Sequence, residues 1–584
     1  MVTSKGKVDP VLMTLVNNYL NATTMEMGLA MARTAYSPIF NETWDFSCGV
    51  FDEKGEILSQ GEFCPAQTAA LQFALEWIVN EKGLESFGPE DFYLHNDPYR
   101  GMNHLPEHAV FKAVYQGSEL VGFTSTIGHM AELGGMAPGG FPPDATEVFQ
   151  EGLRIPPVKI IKNGREDEEL WELIKANVRT PRKNVGDIRA MVGACRLGEK
   201  RLLELVDRYG LETYRNIKEN LKSYAEQRMR EEFRLIPDGV YEDEEYIMDN
   251  DGIEDRPFRV KVRISVEGDE VVVDFTGSEE QARGPINCSY VATAGATYNA
   301  FMQITPLDIP SNRGRYRPIS LVIPPGILNV QYPGSSVIGN TELHPHIVML
   351  IFRALSEVIP ERVSAANNGT CALIGFGGVH PKTEEFLADM NTEAMGHGAR
   401  SGSDGNDART LINGNTRIAS VEVLETRYPF LHERFCLNTD SGGAGRYRGG
   451  LGTIREIEIL ADQLRLSACV EREKLRPWGL FGGRPGTNSG IMVRRRGDSG
   501  YRTFKQAYGT RCNGKFSNVI LNRGDRILIF TGGGGGYGRP EEREVWRIEE
   551  DLKEGYLSEE EIAADYPQYG GKMRHRNTEV GETK

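Results

Sequence analysis

The sequence predicts an α+β protein, because a long helical tract separates two regions that carry strand-like patterns. Residues 184–234 contain no proline, and their apolar residues recur at spacings of three and four, the period of an amphipathic helix. At Pro237-Asp238-Gly239 this period ends, and β-type runs and glycine clusters predominate afterwards. We therefore predict an N-terminal domain over residues 1–238 that contains the helical tract, and a glycine-rich, β-dominated C-terminal domain over residues 239–569.

Caps, turn residues and periodicity justify each N-terminal element. Aspartate followed by proline starts a helix well, and β-type runs on either side of a glycine-containing turn predict a hairpin. Five prolines within 22 residues predict a structured loop. In chain order the elements are a helix from Asp9-Pro10 to about Ser37, a hairpin over 45–60, a helix over 65–79, a hairpin over 108–127 that turns at Gln116-Gly117, and a loop over 136–157.

The C-terminal elements are mostly short strands. A hairpin is predicted over 256–277 around Glu267-Gly268-Asp269, and one clear helix is predicted near 344–358. An acidic helix pair is expected over 544–566. Residues 570–584 lack apolar content, and we expect this tail to be disordered.

Composition excludes several classes of function. A net charge of −16 argues against a nucleic-acid-binding surface, which requires a basic stripe, and equally against an anionic membrane surface. The eight cysteines are scattered without any CxxC spacing, which indicates free thiols in a reducing compartment. No stretch approaches the roughly 20 apolar residues of a membrane span, and the N-terminus does not resemble a signal peptide. We expect a cytoplasmic protein of two to four domains, from a length of 584 residues at roughly 100–200 residues per domain.

The N-terminal region concentrates histidine next to acidic residues. Three of the ten histidines lie between residues 95 and 108, and a fourth is His129. His104 and Glu107 precede the hairpin over 108–127, and His129 follows its second strand. Because a strand out and a strand back return the chain to its start, His129 is expected to face His104 and Glu107. Two imidazoles and one carboxylate form a three-ligand site with open positions, as in a catalytic metal centre.

The neighbouring polar residues carry several interpretations. Glu132 repeats the His-x-x-acid spacing, so it is a candidate fourth ligand, an orienter of an imidazole, or a base. Asp97 lies in an Asn-Asp-Pro turn, where it can bond its own backbone. His95 and His108 are weaker candidates. His108 begins a strand, and its position in the strand alternation points it away from one face. No cysteine is close in the sequence, so nothing indicates a preference for a soft metal.

Two glycine clusters lack the features of a nucleotide loop. TGGGGGYG (531–538) has no lysine followed by serine or threonine, and SGGAGRYRGG (441–450) is incomplete in the same way. Tight turns and close backbone packing explain them better, although Arg446 and Arg448 could contact an anionic group.

Several ordered motifs resemble those of the hydantoinase B/oxoprolinase family. They span nearly the whole chain, from about residue 9 to residue 566. They are NDPYRGMNHLPEH, GHMAELGG, ATEVFQEGLRIPPVKI, GPINCSY, VEVLETRYPF, SGGAGRYRGGLG, RPWGLFGGRPG and TGGGGGYGRPEER.

The resemblance implies a B-type subunit of an ATP-dependent complex, in which an A-type ATPase subunit of actin-like fold binds the nucleotide. It also implies a metal held by His104, Glu107 and His129, with Asp45 of the DFS motif belonging to the same site. The chain departs from the family pattern twice, because Glu107 and Glu132 stand where aspartate is usual. Since glutamate is one methylene longer, the ligand geometry can differ.

Three functions are compatible with this resemblance. The first is a hydrolase subunit that opens a cyclic amide after the partner has phosphorylated it, with Glu132 or Asp45 accepting the proton. The second is a subunit of an acetone- or acetophenone-type ketone carboxylase, and the third is a scaffold without catalysis. We favour the first, with one divalent ion (Zn²⁺, Mn²⁺ or Fe²⁺) at the site and a hetero-oligomer that contains at least two copies of each subunit.

Overall fold

The computed structural model describes residues 9–61, 63–334 and 339–569. It confirms a mixture of helices and sheets, and the described residues form four sheets. The tail over 570–584 lies outside the described residues, so its expected disorder stays a prediction.

The N-terminal half contains a seven-stranded antiparallel sheet with the strand order β2-β1-β5-β4-β3-β6-β7. Both predicted hairpins are confirmed, the first as β1 and β2 and the second as β4 and β5. The strands are β1 (Phe46–Asp52), β2 (Ile57–Gln60), β3 (Phe92–His95), β4 (Glu107–Gln116), β5 (Glu119–His129), β6 (Val158–Lys162) and β7 (Arg165–Glu166).

Helices cover this sheet. Asp9 caps the first helix by accepting a 2.9 Å hydrogen bond from the Val11 amide, as its sequence predicts. The long helical tract is confirmed, but it is divided into two helices at Gly210, whose φ of 82° is unfavourable for other residues. The helices are α1 (Pro10–Thr34), α2 (Pro38–Asn41), α3 (Thr68–Lys82), α4 (Glu168–Asn177), α5 (Pro181–Tyr209) and α6 (Leu211–Phe233). Helix α5 packs on α1 and on strands β4 and β5, and thereby supports the second hairpin.

Three further sheets follow the helical tract, with the strand orders β11-β10-β9-β8, β13-β12-β16-β19 and β14-β15-β20-β17-β18 in the described residues. The first of them contains the predicted hairpin as β9 and β10. The strands are β8 (Gly239–Met248), β9 (Phe258–Glu267), β10 (Glu270–Asp274), β11 (Ile319–Val322), β12 (Leu373–Val379), β13 (Phe386–Asn391), β14 (Phe430–Leu437), β15 (Thr453–Ile459), β16 (Gln463–Cys469), β17 (Gly490–Arg494), β18 (Arg502–Thr503), β19 (Lys515–Asn522) and β20 (Arg526–Phe530).

The C-terminal half contains more helix than its sequence predicts. The predicted helix near 344–358 is present, beginning four residues and ending three residues earlier, and the acidic pair near the end is confirmed. A buried helix over 290–303 was not predicted, because its alanine, threonine and glycine residues give no polar face and hence no amphipathic period. The helices are α7 (Tyr290–Gln303), α8 (Arg313–Tyr316), α9 (Asn340–Leu355), α10 (Val421–Arg427), α11 (Phe504–Tyr508), α12 (Val545–Lys553) and α13 (Glu559–Asp565).

The hydrophobic core changes within helix α6. Residues up to Leu221 pack into the core of the N-terminal sheet, whereas Ala225, Met229 and Phe233 belong to the core formed by β8–β10, α7 and α9. The helix therefore bridges two cores, and the proposed domain boundary at residue 238 stays a prediction. Among the described residues, none of the helices combines the length and apolar character needed to cross a lipid bilayer.

Candidate metal centre

Backbone pairing brings three of the predicted site residues together. In the β4–β5 hairpin, Glu107 lies directly opposite His129. The His129 amide donates a 3.0 Å hydrogen bond to the Asp45 carbonyl, at the point where β1 begins beside β5. The ends of three neighbouring strands thus converge, and the expectation that His129 faces Glu107 is correct.

His104 joins these residues from the loop before β4. Its Nε2 lies 3.4 Å from Oε1 of Glu107, and the ring centroids of His104 and His129 are 5.0 Å apart. The Glu107 amide donates to the His104 carbonyl at 3.2 Å, so the loop closes directly onto the strand. All three side chains are buried, with exposed fractions of 1–5%.

These side chains line one cavity of about 100 Å³. Asp45, His104, Glu107 and His129 form one wall, and the opposite side comes from the C-terminal half of the chain. That side includes Asn340, His344, Cys371, Glu393, Met395 and Asn413. The volume is sufficient for a metal ion and a few water molecules or a small organic group.

Unpaired polar atoms in this cavity fit a bound cation. Neither ring nitrogen of His129, nor Oε2 of Glu107, has a hydrogen-bond partner among the described residues. Burial, and secondarily His104, holds the pKa of His129 well below its usual value, so the ring is neutral and its nitrogen lone pair is available. Buried polar groups without partners are costly, and a divalent ion would satisfy them.

The candidate ligands lie close together, but they do not have the geometry of a formed metal site. Within the described residues, no group of three or more His, Cys, Asp or Glu side chains is already arranged as a metal cluster. The 5.0 Å between the imidazole centroids is nevertheless within reach of a shared ion after side-chain rotation, because coordination bonds extend about 2.0–2.2 Å from each nitrogen. The donor set therefore fits a metal, although its coordination geometry is not formed.

Asp45 is half-buried beside the two imidazoles. Its Oδ1 accepts a 2.8 Å hydrogen bond from Nε2 of Gln67. Burial and the neighbouring Glu107 carboxylate raise the pKa of Asp45 to about 7, although His104 opposes this rise. The carboxyl group is therefore able to hold or release a proton near neutral pH, and a bound cation would favour its ionised form.

The structure does not bring Glu132 into the cavity. Its buried carboxylate accepts a 2.8 Å hydrogen bond from Nη1 of Arg179 and others from the amides of Gly134 and Gly139. With both oxygens engaged, Glu132 orders the loop after β5. The geometry supports none of the three roles that its spacing suggested, because the carboxylate contacts neither imidazole nor the cavity.

His95 and His108 are also outside the cavity. The His95 ring contacts the carbonyl of Arg100 at 2.9 Å, and the His108 ring contacts that of Pro106 at 3.3 Å. Burial lowers the pKa of His108 to about 4. Asp97 accepts from the Tyr99 amide at 3.0 Å, so it stabilises its own turn as expected.

Sequence reasoning missed several residues of the cavity. His344, near the start of α9, lines it and contacts Asn413 through Nδ1. Burial first, then His104, lowers the pKa of His344 to about 4, against the effect of the Ala292 carbonyl. The only available signal was the pair of histidines in ELHPH, which lies more than 200 residues from His129.

Two thiols also line the cavity, which corrects the expectation that no cysteine is close. They are Cys64, beside Asp45, and Cys371, at the end of the loop before β12. Burial raises the pKa of both thiols well above 9, so in the absence of a metal they are neutral. These cysteines were not predicted because they lie far from the histidine cluster in the sequence.

The glycine clusters are packed against other backbone rather than open to a ligand. A Cβ atom at Gly534 would lie 2.1 Å from the His397 carbonyl oxygen, and one at Gly449 would lie 1.9 Å from that of Gly534. Arg448 is buried against Asp407 and Asp551, so the suggestion that it contacts an anionic ligand is wrong.

Comparison with known proteins identifies the class to which this chain belongs. The model of the hydantoinase B/oxoprolinase family matches residues 9–540, and the chain is a member of that family. The resemblance found in its motifs is thereby confirmed.

Individual relatives cover most of the chain. The putative B-type subunit of a D-/L-hydantoinase from Pseudomonas sp. (strain NS671) is 30% identical, over 97% of this chain and 96% of the relative. The beta subunit of caprolactamase from Pseudomonas jessenii is 31% identical, over 96% of each. The 5-oxoprolinase of Dictyostelium discoideum is 29% identical over 92% of this chain, which corresponds to 41% of that longer protein.

Two solved structures share the fold. The crystal structure of ATP-dependent caprolactamase from Pseudomonas jessenii matches with a TM-score of 0.88 at 29% identity, over 96% of both chains. A nucleotide-free structure of acetone carboxylase matches with a TM-score of 0.87 at 17% identity, over 99% of this chain and 84% of the other. The second likeness shows the fold alone.

Proposed function

We propose that this chain is the metal-binding catalytic subunit of a heteromeric, ATP-dependent hydrolase that opens a cyclic amide after a partner subunit has phosphorylated it. The observation that carries this proposal is the buried cavity in which Asp45, His104, Glu107 and His129 converge with unpaired polar atoms. The relatives named hydantoinase, caprolactamase and 5-oxoprolinase support the same class of reaction.

In this proposal His104, Glu107 and His129 hold one divalent ion, Zn²⁺, Mn²⁺ or Fe²⁺. Such an ion supplies Lewis-acid stabilisation of negative charge on an oxygen atom. Asp45, which a bound cation would keep ionised, accepts a proton at its carboxylate during hydrolysis. Glu132 is left out of the proton transfer because Arg179 and two amides engage its oxygens.

The remaining residues shape the environment of the reaction. Asn413 orients the His344 ring from the opposite side of the cavity. Phe141 stacks on His129, with ring centroids 5.6 Å apart, and limits rotation of that imidazole. Exclusion of water by these surroundings would protect a phosphorylated intermediate from premature hydrolysis.

Nucleotide binding is assigned to the partner. The hydantoinase and caprolactamase relatives are both named as subunits, and therefore as parts of assemblies. We propose an A-type ATPase subunit as the partner, a hetero-oligomer with at least two copies of each subunit, and a cytoplasmic location. Sedimentation of a fully active monomer would contradict the assembly.

A ketone carboxylase subunit is the second candidate. The fold shared with acetone carboxylase favours it, whereas the higher identity to caprolactamase, 29% against 17%, favours hydrolysis. Both reactions need an oxyanion stabilised in a dry pocket, so the cavity alone does not separate them.

One assay distinguishes the candidates. The chain is purified with its partner, and ATP consumption is measured with cyclic amides (hydantoin, 5-oxoproline, caprolactam) and, in parallel, with acetone or acetophenone plus bicarbonate. We expect ATP consumption coupled to ring opening, lost with a chelator and restored by Zn²⁺, Mn²⁺ or Fe²⁺. Turnover only with ketone and bicarbonate would establish the second candidate, and substrate-independent ATP turnover that is indifferent to chelation would indicate a scaffold.

A further inference from the structure

A second pocket adjoins the cavity. It is lined from one side by Trp44, the residue before Asp45, and from the other by residues 408–410 and 415–418. Thr410 and Thr416 line both the pocket and the cavity, so the two spaces meet at these threonines. A molecule that passes beside them would place one functional group in each space.

The charge of this second pocket is positive and uncompensated. Arg409 and Arg417 line it, and no acidic residue does so within the part of the chain that the structure describes. Neither guanidinium forms an ion pair with a described carboxylate, although the chain as a whole has a net charge of −16. Two arginines that remain without acidic partners in an acidic protein leave the pocket suited to an anion.

Both arginines have exposed side chains on an anchored backbone. The guanidinium carbon of Arg417 lies 3.4 Å from the centroid of the Trp44 ring, and the Arg417 amide donates a 2.7 Å hydrogen bond to the Thr43 carbonyl. The backbone of Arg409 exchanges hydrogen bonds with Met395, which itself lines the cavity. The attachment points of both side chains are therefore fixed relative to Asp45.

The backbone of this pocket is strained at two positions. Trp44 has a φ of 57° and Ala408 a φ of 47°, in the left-handed region that non-glycine residues rarely adopt. Such strain persists where the surrounding structure requires it, and it concentrates at functional sites. At Trp44 it occurs in the residue that stacks on Arg417 and precedes Asp45.

We propose that this arginine pocket, defined by Trp44, Arg409, Thr410, Thr416 and Arg417, binds the phosphate group of a phosphorylated organic substrate whose organic part enters the cavity. The planar guanidinium groups match the oxygens of a phosphate, and the threonine hydroxyls are additional donors. This inference rests on the proposed function for the origin of the ligand, but the anion site itself depends only on the pocket.

The test uses the full-length chain, freed of metal so that phosphate cannot bind a metal ion. Inorganic phosphate and phenyl phosphate are titrated by isothermal calorimetry into the parent, R409Q/R417Q and the control R465Q. Arg465 is an exposed arginine on β16 with no ion pair to a described residue and outside both pockets. Thermal melting of each variant verifies that it is folded.

We expect both probes to bind the parent and R465Q equally, with phenyl phosphate binding at least as tightly as inorganic phosphate. R409Q/R417Q should bind both phosphate probes at least about tenfold more weakly, since each probe loses its charge-assisted hydrogen bonds to the guanidinium groups. R409K/R417K keeps the positive charge but lacks the planar guanidinium group, so its affinity should lie between those of the parent and R409Q/R417Q.

Absence of binding to the parent, or equal affinities in a folded R409Q/R417Q, would overturn the proposal. Binding of inorganic phosphate but not of phenyl phosphate would also overturn it, because the pocket would then take only free phosphate. If the probes bind as expected but the complex opens no cyclic amide, the arginine pocket stands and the proposed function fails. If the complex opens a cyclic amide but phosphate affinity does not depend on the arginines, the proposed function stands and the arginine pocket fails.

Discussion

At the scale of single residues, His129 has the surroundings most suited to a metal ligand. Its ring is stacked on Phe141, both of its nitrogens lack partners among the described residues, and burial keeps it neutral by lowering its pKa. The other histidines in the same stretch of sequence, His95 and His108, contact backbone carbonyls instead. These histidines therefore differ in whether their ring nitrogens have hydrogen-bond partners, and substitution can test which of them bind the metal.

His129→Ala and His104→Ala should each lose the metal, because each change removes one of the three proposed ligands and thereby weakens binding strongly. We expect metal content, measured by plasma mass spectrometry on the purified complex, to fall from about one ion per chain to below about a tenth. Ring opening should be lost, whereas ATP turnover by the partner can persist. The control is His108→Asn, at another buried histidine of the same strand pair, and this variant should keep its metal. Full metal content in both alanine variants would exclude these ligands.

Glu107→Asp should retain metal better than Glu107→Ala, because it keeps a carboxylate at the position opposite His129. The shorter side chain is the one that the family resemblance implies at this position, and it moves the carboxylate by one methylene. Titration of each apo-protein with Zn²⁺ and Mn²⁺ would measure the order of affinity. Equal affinities for the aspartate and alanine variants would show that this carboxylate is not a ligand.

Glu132→Gln should lower stability while leaving the metal in place. The change removes the negative charge that pairs with Arg179, and we expect a loss of about 1–3 kcal/mol, since Arg179 is partly exposed. Thermal melting and metal analysis of the same sample would test both parts. A variant with unchanged melting but reduced metal content would place Glu132 at the metal after all.

The contrast between Glu107 and Glu132 shows what spacing can and cannot predict. Each acid lies three residues after a histidine, so the sequence pattern is identical. Glu107 is the first residue of β4 and pairs with His129, whereas Glu132 follows the end of β5 and meets Arg179, 47 residues further along. The pattern therefore identified both acids as candidates, but only the strand register decides which one faces the cavity.

At the scale of elements, hairpins and exposed helices were predictable because their patterns are local. Turn residues and alternation were sufficient for the hairpins of β1 with β2 and β4 with β5. Helix α7 was missed because most of its residues are buried, and it packs on α3 and α9. The residues that α9 contributes to the cavity were equally hidden, since only the tertiary fold brings His344 near His129.

The glycine segment 531–538 is an element whose function is close packing. Gly534→Ala should destabilise the chain by about 1–3 kcal/mol, because its Cβ would overlap the backbone of His397 and no flexible side chain can move away. Gly500→Ala is the matched control, since nothing lies within 4 Å of its Cβ position, and its effect should stay within about 0.5 kcal/mol. Soluble yield and thermal melting of the two variants would measure this difference. Equal stability would mean that the segment is open, as a ligand loop would be.

At the scale of the whole molecule, the cavity depends on both halves of the chain. Its acidic residues and imidazoles come mainly from the strand ends of the first sheet, and its remaining walls come from α9 and residues 371–416. Helix α6 joins the two cores on which these walls are built. The local histidine cluster predicted His104, Glu107 and His129 of the first wall, and the family resemblance added Asp45. The second wall is assembled from segments far apart in the chain, which no local pattern reveals.

The same architecture argues that the isolated chain binds no ATP. Its longest glycine run follows β20, as a phosphate loop follows a strand, but its backbone is packed against residues 397 and 450 and contains no lysine. We therefore expect neither ATP hydrolysis nor stoichiometric ATP binding by the purified chain, and both in the complex with its partner. Equilibrium dialysis with labelled ATP, using the complex as the positive control, would measure this. One ATP bound per isolated chain would show that the nucleotide site lies in this chain and not in its partner.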